Sequence, residues 1–347
     1  MAAFNVAANL LKWHKKHGRH DLPWQHPRTP YRVWLSEIML QQTQVSTVIG
    51  YFDAFIREFP TLESLARAPS EQVMQLWAGL GYYSRARNLH QSARICLSEH
   101  GGELPTSFEG LMALPGIGRS TAGAILSQAH GQAYAIMDGN AKRVLTRFHA
   151  VSGDVSSASV LKQLWQLAES HLPSSRLSDY TQALMDLGAT LCTRSRPDCL
   201  NCPLARHCQA FQHNAVADYP NRKPGKTIPK RETYALILLS KDNEILLEQR
   251  PDTGIWGGLF SLPEQSGMQA AGQFAGQYTQ RTGEATALPA ITHRFSHFQL
   301  TIHPLLWRGC TPNARISDND TYQWMGCDQL QRIGLPAPIK KLLQALP

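Results

Sequence analysis

The sequence predicts a multidomain chain, an all-α domain followed by a smaller α+β domain. Three observations predict it. Residues 1 to about 212 carry apolar side chains at helical spacing, broken by short Gly/Pro turns. Residues 213–231 hold Pro220, Pro224, Gly225 and Pro229 among Arg222, Lys223, Lys226, Lys230 and Arg231, a basic, extended linker. Beyond the linker the apolar period shortens to the alternation of strands. The expected organisation is therefore 1–212, a linker at 213–231, and 232–347.

Composition narrows the function classes. With 347 residues, 43% of them apolar, the chain can bury more than one core. A formal charge of +8 favours a polyanionic partner. No apolar run reaches transmembrane length, so no membrane partner is expected. The N-terminal residues lack the apolar core of a signal peptide. A cytoplasmic protein is expected, nucleoid-associated if bacterial.

The elements follow in order. Phe4, Ala7, Ala8 and Leu11 mark an amphipathic first helix. Asp21-Leu22-Pro23-Trp24-Gln25 is a Pro turn. A helix is expected to start near Pro30 and run from Tyr31 to Val45, with Glu37 among Val33, Trp34 and Leu40 on its apolar stripe. A carboxyl desolvated in this way has a raised pKa, which suits a general acid. Gln41, Gln42, Thr43 and Gln44 form an uncharged hydrogen-bonding run just beyond it. Gly79-Leu80-Gly81-Tyr82-Tyr83 is a turn presenting an aromatic ring.

The most informative stretch is Leu114-Pro115-Gly116-Ile117-Gly118-Arg119, followed by a small-residue helix from Ser120 to Gln128 and then by Asp138. Gly116 and Gly118 permit positive φ and close backbone approach. Ser120 or Thr121 is expected near the helix start. A glycine turn opening a helix presents free N–H groups that suit a phosphate.

Four of the seven cysteines, Cys192, Cys199, Cys202 and Cys208, fall in a C-x6-C-x2-C-x5-C array. A disulfide framework does not suit a cytoplasmic chain of this length. The array reads as a metal site, and its spacing leaves zinc and an iron–sulfur cubane both open. Arg194 and Arg196 lie in the loop that the array would pin, placed to meet phosphates.

In the second domain, Tyr234–Ser240 and Glu244–Arg250 are strands joined at Lys241-Asp242-Asn243. Phe298, Leu300 and Ile302 alternate along a further strand. His293-Arg294-Phe295-Ser296-His297-Phe298 forms a polar-aromatic loop before it.

The hairpin and its aspartate resemble those of the helix-hairpin-helix DNA glycosylases, and among these the MutY adenine glycosylases. The resemblance covers nearly the whole chain. It implies an all-α helix-hairpin-helix domain holding one [4Fe–4S] cluster on the four cysteines, and a Nudix-like C-terminal domain entered at Gly254–Glu264. It implies that Glu37 protonates adenine N7, that an ionised Asp138 stabilises the cationic sugar, and that Asn140 orients this site. Gln42 and Tyr82 would wedge the duplex beside the orphaned partner base. Leu22, Trp24 and Gln25 would rim the adenine pocket, and Gln182 would read the adenine edge. Phe295, Ser296 and His297 would contact 8-oxoguanine.

An active Nudix hydrolase carries a glutamate-rich helix that binds magnesium. Residues 268–281 contain no carboxylate, so this domain is expected to read and not to hydrolyse. The place after Gly116-x-Gly118-Arg119 holds Ser120, where endonuclease III-like lyases have a lysine. The expected function is a monofunctional adenine DNA glycosylase, a monomer acting on duplex DNA at A opposite 8-oxoguanine or G. Two rivals are an endonuclease III-like glycosylase/lyase, opposed by Ser120, and a DNA-binding redox sensor, opposed by the Glu37–Asp138 pair.

Overall fold

The computed structural model describes residues 4–221, 227–280, 284–313 and 321–346. Residues 222–226 of the expected linker, with Arg222, Lys223 and Lys226, lie outside the described residues, as does Arg281. The chain packs as two compact units, Met1–Arg67 with Asn88–Gly225, and Ala68–Arg87 with Lys226–Pro347.

The first unit is helical. Helix α1 (Val6–His17) is capped by the Asn5 side chain, which accepts from the Ala8 N–H at 2.9 Å. Its buried stripe is Val6, Ala7, Leu10 and His14; Ala8, expected to face the core, is exposed. Helix α2 (Pro30–Leu40) starts at Pro30, capped by Thr29. The helix expected to reach Val45 ends five residues earlier. Gln42 adopts a left-handed φ of 59°, the Thr43 N–H closes on the Leu40 carbonyl, and α3 (Val45–Glu58) begins anew. The polar run Gln41–Gln44 is thus a loop, because it has no apolar side chain to bury.

Next in order come α4 (Leu62–Arg67), α5 (Ser70–Trp77), α6 (Ser84–Glu99), α7 (Phe108–Met112), α8 (Arg119–His130), α9 (Gly139–Phe148), α10 (Ala158–Ser170), α11 (Leu177–Thr190) and the short α12 (Gln209–Gln212). Of these, α5 lies in the second unit. Helix α2 packs on α8, and α11 packs on α1, α8 and α9. Leu10, Ala124, Ile136, Val144, Leu184 and Leu187 form the core between them. Gly123 is what lets α8 approach so closely: a Cβ there would stand 2.4 Å from the Ala135 carbonyl oxygen.

The second unit is built on a sheet with the order β3-β2-β1-β8-β5. Strands β1 (Lys230–Ser240) and β2 (Glu244–Gln249) form the expected hairpin, with Asn243 at φ 60° in its turn. Strands β3 (Phe260–Ser261) and β4 (Glu264–Gln265) pair with β2 and β1 respectively. Helix α13 (Met268–Tyr278) packs Ala271, Phe274 and Ala275 on the sheet and has no acidic residue. The short β5 (Thr279–Gln280), β6 (Thr286–Ala287) and β7 (Ile291–Arg294) all pair with the long β8 (Gln299–Pro312). Strand β8 runs parallel to β1, with Lys230 opposite Gln299 and Leu238 opposite Trp307. Phe298, Leu300 and Ile302 are buried, as their alternation predicts. Strand β9 (Tyr322–Gly326) pairs with β2, and α14 (Cys327–Leu330) and α15 (Ala337–Gln344) close the chain. Among the described residues no helix is long and apolar enough to cross a membrane.

Candidate active site

The hairpin is built by a close approach. Gly116 has φ +78°, and a Cβ there would stand 2.9 Å from the Asn88 Cβ, so glycine is required. Gly118 has φ −97° and open space around it, so its conformation does not demand glycine. Gly118 is the N-cap of α8 and supplies no side chain, leaving the first N–H groups of that helix free of side-chain capping. Ser120 is therefore not the cap. Its hydroxyl accepts from the Met137 N–H at 2.9 Å and ties α8 to the segment that delivers Asp138.

Asp138 is itself the N-cap of α9, and its Oδ1 accepts from the Ala141 N–H at 2.7 Å. The carboxylate is thereby aimed by the helix start. Burial raises its pKa above the ordinary value, opposed by the Ala141 and Asn140 N–H groups and by the Arg143 charge. Asn140 accepts from the Arg143 guanidinium at 2.8 Å.

Glu37 and Asp138 line one cavity of about 810 Å³ in the first unit, together with Ser120, Asn140, Leu22, Trp24, Gln42 and Gln182. Burial, and secondly the Asp138 charge, push the Glu37 carboxyl up to about 7. The Gln128 amide donates to Glu37 Oε1 at 3.0 Å and holds the acid in place. The site thus pairs two carboxyls in one cavity, one of them poised to hold a proton at neutral pH.

Other sequence-predicted residues fall elsewhere. Gln25 is buried but does not line this cavity; its amide donates to the Arg19 carbonyl at 3.1 Å and accepts from the Leu22 N–H. It shapes the Pro turn that carries Leu22 and Trp24. Arg194 and Arg196 are exposed. In the second unit, Phe295, Ser296 and His297 form the turn between β7 and β8. They line a cavity of about 420 Å³ with Tyr82 and Trp256. Tyr82 stands 44% exposed at φ 50°.

Cys192, Cys199, Cys202 and Cys208 line a single apolar pocket with Val144, Phe148 and Leu187. Burial drives the Cys202 thiol up to about 12 and raises Cys199 and Cys208. Among the described residues, no three His, Cys, Asp or Glu stand together as a metal-binding group. The chemistry of the donor set nevertheless fits a thiolate-ligated centre: four cysteines line one pocket, and a metal is what makes buried thiols ionise. Buried Arg147 supports the same loop, donating to Cys192 Sγ at 3.4 Å and to the Thr193 carbonyl at 2.7 Å.

Sequence reasoning missed Gln128, Arg143 and Arg147. Arg143 and Arg147 are four apart on α9 and face the cysteine loop, a spacing that was visible. Gln128 had no local signal, because only the packing of α8 on α2 brings it to Glu37. Also missed was buried Asp186. It accepts from the Arg19 N–H at 2.7 Å, from Arg19 Nε at 2.8 Å and from the Gln182 amide at 2.8 Å. Burial works against its ionisation, but donors from His14 and Arg19 hold its carboxyl below the ordinary value.

This fold and site define the helix-hairpin-helix class of repair proteins. The family model described as "HhH-GPD superfamily base excision DNA repair protein" matches residues 35–170, and a NUDIX domain model matches 234–345. The chain is 38% identical over 344 residues to the adenine DNA glycosylase of Buchnera aphidicola subsp. Acyrthosiphon pisum (strain APS), covering 99% of this chain and 98% of that one. It is 35% identical to the adenine DNA glycosylase of Homo sapiens, covering 97% and 73%. A solved thermostable thymine-DNA glycosylase superposes with a TM-score of 0.55 at 28% identity, covering 60% of this chain and 95% of that one. The chain belongs to the adenine DNA glycosylases, N-glycosylases of base-excision repair.

Proposed function

We propose that this enzyme removes adenine opposite 8-oxoguanine or guanine in duplex DNA by hydrolysing its N-glycosidic bond, as a monomer. The observation that carries the chemistry is the shared cavity of Glu37 and Asp138, with the Glu37 carboxyl near 7. The target base must be flipped out of the stack to reach it. Protonated Glu37 donates to N7 of adenine, which makes the base a neutral leaving group. The C1′–N9 bond breaks with its electron pair passing to the base. The oxocarbenium-like sugar left behind faces the Asp138 carboxylate; water adds at C1′ and passes its proton to the Glu37 carboxylate, which restores the acid. Asn140 and Arg143 keep Asp138 in register. Ser120 has no amine and cannot form an imine with C1′, so no lyase step follows.

Gln42, exposed on the first unit, inserts into the duplex, as does Tyr82, exposed on the second; stacking by Tyr82 is sequence-tolerant. The N–H groups of the Gly116–Ser120 hairpin, with Arg194 and Arg196, hold phosphates. The 295–297 turn reads 8-oxoguanine, Ser296 through its hydroxyl. Leu22 and Trp24 wall the adenine pocket and Gln182 reads the adenine edge. Cys192, Cys199, Cys202 and Cys208 would hold one [4Fe–4S] cluster, which when bound pins the Arg194–Arg196 loop.

The test is a single-turnover assay on an A:8-oxoguanine duplex, with and without hot alkali. Adenine release should leave the strand intact until alkali is added. Strand cleavage that keeps pace with base release, without alkali, would overturn the hydrolytic reading. Iron quantitation and visible absorbance of the purified protein test the cluster separately.

A further inference from the structure

Gln182 is almost fully buried and lines the catalytic cavity, yet its Oε1 has no hydrogen-bond partner among the described residues. A buried amide oxygen left in this way is costly unless something fills it. The other edge of the amide is fully determined. Gln182 Nε2 donates at 2.8 Å to Asp186 Oδ1, four residues along α11. That oxygen also accepts from Arg19 Nε at 2.8 Å and from a terminal nitrogen of Arg19 at 2.7 Å. Asp186 Oδ2 accepts from the Arg19 backbone N–H at 2.7 Å and stands 3.4 Å from His14 Nε2. Every group facing this carboxylate at hydrogen-bonding distance is a donor or a histidine nitrogen.

We infer that Asp186 is a positioning residue that fixes the polarity of Gln182, so that the amide shows the base an acceptor and never a donor. An ionised carboxylate can only accept, so it must receive the amide NH2 and turn the oxygen the other way. A fixed acceptor selects a base carrying an exocyclic amine and rejects a keto oxygen at the same place. This rests on the proposed role of Gln182 as the reader of the adenine edge. Without Asp186, the Arg19 donors that share its carboxylate lose their acceptor and would draw Oε1 inward, presenting the NH2 group to the base.

The experiment compares single-turnover release of adenine with that of unsubstituted purine, which differs by the 6-amine, each opposite 8-oxoguanine in one duplex. The ratio of the two rates is independent of how much of a preparation is active. In Asp186→Ala the adenine:purine ratio should fall about tenfold, the scale of one hydrogen bond exchanged for a repulsive contact. Asp186→Leu, which fills the volume, gives the same loss should the alanine variant not fold. Gln182→Glu placed in the Asp186→Ala background should restore the ratio, because a carboxylate accepts on both edges. An unchanged ratio in Asp186→Ala or Asp186→Leu, beside a collapsed ratio in Gln182→Leu, overturns the positioning role alone. An unchanged ratio in Gln182→Leu overturns the reading of Gln182 as well.

Discussion

At the residue scale the proposed chemistry depends on one carboxyl being protonated near neutrality. Glu37 is held near 7 by burial and by Asp138. Single-turnover adenine release should therefore fall as pH rises through about 7, as the acid is lost. Glu37→Gln should bind an A:8-oxoguanine duplex and release no adenine; near-normal release would remove Glu37 from the acid role. The same shift bears on stability. A carboxyl whose folded pKa exceeds its unfolded value binds its proton more tightly when folded, so its contribution declines as pH rises from about 4.5 to 7. Glu37→Gln escapes that decline. It should be more stable than the parent at pH 8, by about 1–3 kcal/mol, and no more stable at pH 4. Thermal melts at the two pH values check this. The desolvation of the Glu37 carboxyl was legible in sequence, because its neighbours Val33, Trp34 and Leu40 are apolar. Asp186 was not, because its meaning lies in Arg19, 167 positions away.

At the element scale the hairpin and α8 organise the site. The glycine hairpin was legible, since few other patterns place Gly-x-Gly before a small-residue helix. The role of Ser120 was only half legible: its hydroxyl supports the Met137 N–H at the approach to Asp138. Ser120→Lys should gain borohydride-trappable complex, because Ser120 lines the cavity with Asp138. It should also lose about 1 kcal/mol of stability with that hydrogen bond. Wild-type protein should trap little in proportion to base release; turnover-matched trapping by the parent would count against hydrolysis. The break after α2 was missed for a physical reason. Gln41–Gln44 is helix-compatible by propensity, and only its lack of an apolar face let it become a loop lining the cavity.

At the scale of the whole molecule, the Glu37–Asp138 cavity and the cavity at the 295–297 turn, for which the proposal gives catalysis and reading of the opposite base, fall on different units. Ser296→Ala should slow release opposite 8-oxoguanine more than release opposite G, narrowing the preference by about three- to tenfold. Equal loss on both duplexes would deny the turn its reading role. Binding should weaken with salt, with a log–log slope of about −0.9 per phosphate neutralised. A flat response in a filter or anisotropy titration would contradict a phosphate-tracking surface.

The second unit is discontinuous in sequence, and that carries a consequence for biosynthesis. Residues 68–87 emerge from the ribosome well before 226–347, whose Gly257 carbonyl accepts from Arg87 at 2.6 Å and whose Gly334 backs onto Met74. At about 5–20 residues per second, the roughly 140 residues between them take on the order of 10–30 s to translate. For that interval the nascent chain carries the aromatic turn around Tyr82 without the residues it will pack against. Slow elongation or early termination prolongs the interval, so the burden on chaperones falls on this internal stretch more than on the last residues made.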